Sequence, residues 1–361
     1  MNLFKYLFIL FLTFLSSIGI YGQKYSNEFL TIGIGARARA MGNAATASTQ
    51  SVMSGFWNPA ALAAIDLQGI QVGAMHTEQF AGVAKYDFLG AVFPLSEKNR
   101  TFGVSLIRFG IDDIPNTLSL FEEDGTINYD NIVPFSSVDY AFLGSFSQKI
   151  NTKKGDLFVG GNAKIVYRTI GPFASSWGFG LDAALLYKSE KWRFGLVVKD
   201  ATNTFNAWSF TLTEAEKNVL SLTNNSLPIN SVERTRPQIS LGVARLFSIN
   251  EKWGLLTELD GIATTDGRRN TLISADPISI DLAIGAELDF KDLLFFRLGI
   301  NNFQRESNFD TTDFLTIQPN IGLGLKIQSF RIDYAFTDVG EQRNQTYSHV
   351  ISLIIDIKRV K

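Results

Sequence analysis

The chain has 361 residues, 45% of them hydrophobic, with 30 phenylalanines, 30 glycines and 9 prolines; this size and composition favour one large β-architecture over two ordinary soluble domains. Its 33 basic and 35 acidic residues give a net charge of −2 and form no basic block, which argues against nucleic acid as a partner. Without cysteine and with two histidines, the sequence excludes disulfide frameworks, thiol nucleophiles and multi-histidine metal sites. We therefore expect no enzymatic activity, no cofactor and no metal.

Residues 1–22 have the pattern of an export signal peptide. Lys5 supplies the positive charge, residues 7–15 are mostly apolar, and small residues up to Gly22 allow cleavage before Gln23. A membrane anchor is the alternative, but the apolar run is short for a membrane helix and no charged flank follows it. Together with the barrel inferred below, this pattern predicts a place in the outer membrane of a Gram-negative cell.

Residues 23–67 come before the regular alternation of apolar and polar residues. We predict that they form an N-terminal segment that plugs the lumen of the barrel inferred below. Between residues 33 and 62 small residues dominate, which allows the chain to press closely against a barrel wall. Gly33, Gly35 and Gly42 superficially suggest a dinucleotide loop. The strand–turn–helix context and the acidic residue that such a loop requires are missing from the sequence, so we expect no nucleotide site.

Arg37 and Arg39 are the charged side chains between residues 33 and 62, and two interpretations apply to them. They would bind an anionic cargo, or they would pair with carboxylates of the lumen wall, for which Asp281 and Glu287 are reasonable partners. We expect the structural pairing, because buried arginines are usually matched by carboxylates.

The segment ends in a second group of candidate residues, Trp57, Asn58 and Pro59. Asn58 followed by Pro59 predicts a helix start, with Asn58 as the cap and Pro59 at the first helical position. Trp57 is interpreted as a packing anchor rather than a stacking platform for a ligand.

From residue 68 to residue 361 apolar and polar residues alternate with a period of two, which predicts β-strands with one apolar face. We count about fourteen strands. A soluble β-sandwich shows the same alternation, so the connections decide between the two folds. Short turns alternate with long loops, at residues 110–136, 200–235, 262–277 and 302–315. This arrangement predicts an all-β fold, a transmembrane antiparallel β-barrel of about fourteen strands.

Charged side chains should face the lumen of such a barrel, because a charge facing lipid at the midplane costs roughly 2–4 kcal/mol. By strand parity we assign ten charged residues to the lumen, namely Asp87, Lys164, Asp182, Arg193, Asp281, Glu287, Arg297, Lys326, Arg331 and Asp333. Arg108 and Arg245 fall on the lipid parity close to strand ends. Aromatic residues predict an interfacial girdle at the short-turn rim, at Tyr187, Trp192, Phe247, Trp253 and Phe290. Thr213 predicts the cap of a short helix in the loop 200–235.

The N-terminal segment resembles the signature of the PorV/PorQ family of Bacteroidetes outer-membrane proteins, distant relatives of the FadL long-chain fatty-acid transporters. The resemblance is carried by Gly35-Ala36-Arg37-Ala38, by Met41-Gly42 and by Trp57-Asn58-Pro59-Ala60. It implies a FadL-like barrel, usually of fourteen strands, with the N-terminal segment inside. The chain departs from the pattern at Ser48-Thr49-Gln50-Ser51, where members often have an Ala-Asp-Asp block.

Members of that family with assigned roles take part in type IX secretion, which implies secretion components or their exported substrates as partners beside outer-membrane lipid. The resemblance and the long loops predict a secretion or surface-attachment component that binds exported proteins. The alternative is a FadL-like transporter of hydrophobic small molecules across the outer membrane. A general porin is a third possibility, and it requires an open channel.

Overall fold

A computed structural model of the chain describes residues 26–95, 99–122, 125–307, 313–337 and 347–358. The predicted signal peptide lies outside these residues. Within them, no helix combines the length and the apolar character needed to cross a membrane.

The described residues form sixteen strands and a few short helices. The strands are β1 Gly69–Gln79, β2 Ala84–Leu95, β3 Arg100–Asn116, β4 Val133–Asn151, β5 Asp156–Ile170, β6 Ala174–Lys188, β7 Trp192–Lys199, β8 Phe205–Phe210, β9 Ser231–Arg234, β10 Gln238–Ser248, β11 Trp253–Thr264, β12 Ser279–Phe290, β13 Leu294–Ser307, β14 Asp313–Ile327, β15 Phe330–Thr337 and β16 Ser348–Lys358. The α-helices are α1 Ala36–Ala40, α2 Ser54–Trp57 and α3 Glu214–Leu222, and 3₁₀-helices span Glu28–Leu30, Pro59–Ala64 and Tyr129–Asn131.

Fourteen of the strands close into an antiparallel barrel, as the sequence predicted. Strands β1 to β7 pair in order, β7 pairs with β10, and β10 to β16 continue the ring. The ring closes where β1 pairs with β16, in a register that runs from Gly69 opposite Lys358 to Glu78 opposite His349. Closure leaves no free edge among these strands, which is the condition for a sheet to span a lipid bilayer.

Strands β8 and β9 are a difference from the sequence prediction, which placed only a loop with a helix at residues 200–235. β7 covers only the lower part of the β6 edge, from Ala183 to Lys188, and ends at Lys199. β8 pairs with the upper part of the same edge, and β9 pairs with β8. The backbone changes direction at Asp200, which has a φ of 54°. The predicted helix is present as α3, and the Thr213 side chain accepts a hydrogen bond from the Glu216 amide.

The outer face of the barrel is apolar along most of its height. Leu89, Leu298 and Leu323 are 60%, 64% and 54% exposed, and each lies among other exposed apolar side chains on the same face. Such an apolar surface fits contact with membrane lipid. At the short-turn rim the predicted aromatic residues face outward, where the rings of Trp253 and Phe290 lie 4.7 Å apart.

The sequence assignment of Asp87 to the lumen is wrong. Its neighbours Tyr86 and Phe88 are buried against the interior, so Asp87 faces outward. There it lies between His76 Nδ1 at 2.6 Å and Arg108 Nη1 at 3.1 Å. The physical reason is that the inside of β2 is apolar at this point, because Tyr86 and Phe88 pack in one buried cluster with the N-terminal segment. Polarity therefore does not identify the inner face of β2.

Candidate functional site in the barrel lumen

The N-terminal segment, here residues 26–67, lies within the ring of strands. It begins beside the long-loop half, where Asn27 Nδ2 donates to Thr235 Oγ1 at 3.1 Å. It then contacts inward-facing side chains around the ring, as shown by the hydrogen bonds of Ala36 N to Ser352 Oγ at 2.7 Å and of Val52 N to Gln71 Oε1 at 2.6 Å. The segment ends at the short-turn rim, where β1 begins.

Glycines of the wall allow the backbone of the segment to touch the backbone of the strands. A Cβ atom added at Gly299 would lie 2.0 Å from the carbonyl carbon of Met41. One added at Gly195 would lie 2.3 Å from the oxygen of Thr46. No side chain fits between such surfaces, which explains why the segment is rich in small residues and the facing wall in glycine.

We predict that Gly299→Ala displaces the segment and lowers the free energy of unfolding by about 3 kcal/mol, the upper range for overpacking, because backbone must move to make room. Urea unfolding of the refolded protein, followed by tryptophan fluorescence, measures this. Gly144→Ala is the matched control, since the nearest atom to an added Cβ there is Ala163 O at 4.0 Å. Equal losses in the two variants would contradict the close approach.

A buried network of charges joins the segment to the wall formed by β12, β13 and β15. Glu287 accepts a bidentate pair of hydrogen bonds from Arg37, at 2.8 Å from Nε and 2.9 Å from Nη2. Arg297 Nε lies 2.6 Å from the same carboxylate, and Arg297 Nη1 lies 2.8 Å from Asp333. Arg331 Nε is 3.0 Å from Asp333. Three guanidinium groups thus share two carboxylates in a buried site.

Two acidic residues of β11 hold the segment through its backbone. Asp260 Oδ2 accepts from Ala45 N at 3.0 Å and from Thr46 N at 2.9 Å. Glu258 Oε1 accepts from the next two amides, at 2.6 Å and 3.2 Å. Both side chains are buried. Sequence reasoning missed this pair, although two acids at positions i and i+2 of one strand face the same side and would have been a usable signal.

The other sequence-predicted residues are placed as follows. Arg39 is buried and donates to Thr337 Oγ1 at 3.0 Å and to the Ile32 carbonyl at 2.5 Å. Asp281 is not brought to either arginine of the segment and instead accepts from Leu282 N at 2.9 Å. Of the two suggested carboxylates, Glu287 is therefore the one that contacts Arg37.

Trp57, Asn58 and Pro59 lie where the segment turns towards β5 and β6. Trp57 Nε1 donates to Ile34 O at 2.8 Å. The Asn58 side chain accepts from Ala60 N, and Pro59 is the first residue of the 3₁₀-helix, as predicted. Asn58 Nδ2 also donates to Thr46 O at 2.8 Å, which connects two parts of the segment that are 12 residues apart.

The remaining side of the segment packs against an apolar wall. Segment residues such as Ile34, Val52 and Phe56 form one buried cluster with inward-facing residues of β1 to β5, including Met75, Tyr86, Phe88, Ile107, Leu143 and Val166. The lumen is thus two-sided. Ion pairs and charged hydrogen bonds hold the segment to β11–β15, whereas its contact with β1–β5 combines the apolar cluster with hydrogen bonds such as that of Val52 N to Gln71 Oε1.

No family model and no curated protein matches the chain. Among solved structures, the Pseudomonas putida toluene transporter TodX matches with a TM-score of 0.53 and 15% identity, over 91% of this chain and 99% of that one. A Pseudomonas aeruginosa FadL homologue matches with a TM-score of 0.52 and 14% identity, over 89% and 98% of the two chains. The Ralstonia pickettii toluene transporter TbuX matches with a TM-score of 0.50 and 13% identity, over 90% and 97%. The chain therefore shares the barrel fold of FadL-like outer-membrane transporters.

Proposed function

We propose that the protein is a non-enzymatic outer-membrane channel for hydrophobic small molecules, in which the N-terminal segment is the plug. The observation that carries this proposal is the two-sided lumen. Apolar contacts are non-directional, so a hydrophobic solute can replace the side chains of the segment along β1–β5 with little loss. Ion pairs and hydrogen bonds to β11–β15 are directional and hold the segment in place meanwhile. The printed roles of TodX and TbuX as toluene transporters support the same class of cargo.

A disulfide that fixes the segment to the apolar wall tests the proposal. A Cβ atom added at Gly73 would lie 2.4 Å from Val52 Cγ1, so Val52→Cys with Gly73→Cys places two thiols within bonding reach. The chain has no other cysteine. In a Gram-negative host without its own hydrophobic channel, we expect the oxidised pair to lose most of the uptake of radiolabelled toluene. Reduction with dithiothreitol should restore it.

Thr46→Cys with Gly242→Cys is the matched control on β10, beside Asp260 of the polar side, where the added Cβ lies 2.8 Å from Thr46 Cβ. This cross-link fixes the segment to the wall at a contact outside the proposed path of the solute. Uptake of toluene should therefore persist. Unchanged uptake in the oxidised Val52–Gly73 pair would contradict a path along β1–β5. A large ohmic conductance of the wild-type protein in planar bilayers would favour the general porin instead.

The secretion or surface-attachment role is a second candidate, supported by an exposed apolar surface beyond the long-loop rim. Leu222, Ile229 and Val232, between the end of α3 and β9, are 87%, 77% and 59% exposed. Replacing residues 211–230 by an Asn-Gly turn removes most of this surface and leaves the β8–β9 pairing. For a secretion component we expect loss of surface display of exported proteins and of co-purifying partners. Unchanged display with normal barrel assembly would exclude this role.

A further inference from the structure

Arg245 of β10 is a cation on the outer wall of the barrel, close to the short-turn rim. β10 ends at Ser248, and the alternation along the strand turns Arg245 outward, because Ala244 is buried. The Arg245 guanidinium lies 4.8 Å from the centre of the Trp192 ring and 4.6 Å from that of the Phe247 ring. By the loop lengths this rim faces the periplasm. Arg245 therefore lies at the level of the lipid headgroups of the periplasmic leaflet.

The positive charge of Arg245 has no carboxylate beside it in the part of the chain that the structure describes. Its side chain contacts the two aromatic rings, and no ion pair in the same ranges includes it. Arg108, which also faces outward, is different, because its Nη1 lies 3.1 Å from Asp87 Oδ2. The turns that precede β7 and β11 each carry one acid and one base, whose charges cancel, namely Glu190 with Lys191 and Glu251 with Lys252. This part of the wall therefore presents one unbalanced positive charge to lipid.

Two further hydrogen-bond donors flank Arg245 on the neighbouring strands. In the register of the sheet, Arg245 is opposite Trp192 of β7 and Thr257 of β11. Thr257 faces outward, since Leu256 and Glu258 on either side of it are buried. The Trp192 indole N–H and the Thr257 hydroxyl donate to no group among the described residues. A ligand that complements a guanidinium, an indole N–H and a hydroxyl brings several acceptor oxygens, as a phosphate does.

The wall next to these donors, towards the middle of the membrane, is apolar. Leu241 and Val243 lie beyond Arg245 on the outward face of β10 and are 58% and 39% exposed. We propose that this place is a binding site for an anionic glycerophospholipid. Its phosphate contacts Arg245, Trp192 and Thr257, and an acyl chain lies along Leu241 and Val243. A lipid with a single negative charge matches the one unbalanced cation. The site lies outside the lumen and does not depend on the molecule that the channel carries.

Native mass spectrometry of the detergent-solubilised protein, titrated with dimyristoylphosphatidylglycerol, tests the site. Dimyristoylphosphatidylcholine is the comparison ligand, since it has the same chains and phosphate but no net charge. We expect the anionic lipid to bind about fivefold more tightly, the factor that one interfacial arginine contributes towards anionic lipid. Arg245→Gln should remove this preference, whereas Arg245→Lys keeps the charge and should retain part of it. Thr257→Val keeps the shape without the hydroxyl and should weaken binding of the anionic lipid about two- to tenfold.

Arg108→Gln is the matched control, because Arg108 is an outward-facing arginine that already has a carboxylate partner in Asp87. It should bind both lipids as the wild type does, and heat-modifiable migration on gels verifies that each variant forms the barrel. Equal binding of the two lipids by the wild type, or an unchanged preference in Arg245→Gln, would overturn the site. The same loss in Arg108→Gln as in Arg245→Gln would also overturn it. Displacement of the bound lipid by excess inorganic phosphate would overturn the lipid as the ligand.

Discussion

Glu287→Gln is expected to lower the free energy of unfolding by about 3–5 kcal/mol, the usual cost of removing one partner from a buried charge network. In the native protein Glu287 binds both Arg37 and Arg297. With an amide in its place, three guanidinium groups share the single carboxylate of Asp333. Urea unfolding in detergent micelles, followed by tryptophan fluorescence and by heat-modifiable migration on gels, measures the loss.

The control is Glu214→Gln, which removes the partner of Lys217. This ion pair lies on the surface, and the Glu214 side chain is 84% exposed. Its stability should equal that of the wild type within error. A double-mutant cycle with Arg37→Gln separates the pair from the rest of the network and should give a coupling energy of about 0.5–3 kcal/mol. A coupling of zero would mean that Arg37 does not hold the segment to β12.

The second large effect is expected on permeability, from Glu258→Ala combined with Asp260→Ala. The double change leaves four consecutive amides, from Ala45 to Ser48, without their acceptors. Each buried unpaired amide costs about 1–3 kcal/mol, and 1.4 kcal/mol corresponds to a factor of ten. We therefore expect openings of the lumen to become more than about tenfold more frequent, seen as stepwise currents in planar bilayers.

An outward-facing pair provides the control for these currents. Lys85→Ala with Asp112→Ala likewise replaces two charged side chains, an ion pair 2.9 Å long, but on the outer wall of β2 and β3. Its recordings should match those of the wild type. If the lumen variant were as silent as this control, the four amide contacts would not be what retains the segment.

The strands of the barrel can be predicted from the sequence because one face of each strand belongs to the apolar outer surface. On that face apolar residues recur at every second position. The inner face is less predictable, since its chemistry depends on what packs against it. Asp87 shows this, because the inside of β2 packs against the segment and is apolar there, whereas Asp87 on the outside contacts His76 and Arg108. Glu258 and Asp260 show it again: their spacing marks one face of β11, but their partners are backbone amides, which the sequence does not identify.

The hairpin of β8 and β9 escaped prediction for a different reason. β7 has eight residues and is too short to pair with the whole edge of β6. The rest of that edge pairs with β8, which follows later in the chain. The alternation of residues along a strand does not show whether the neighbouring strand is long enough to pair with all of it. Arg37 and Glu287, in contrast, were suggested from the sequence, because an arginine among small residues needs an acid on a wall of known parity.

The seam between β1 and β16 also constrains assembly. It joins the first and the last strand of the ring, so the ring cannot close until the last strand is available. The segment precedes β1 and is hydrogen-bonded to Ser352 of that last strand. This contact can therefore form only when the last strand is available, at the same stage at which the seam itself can close.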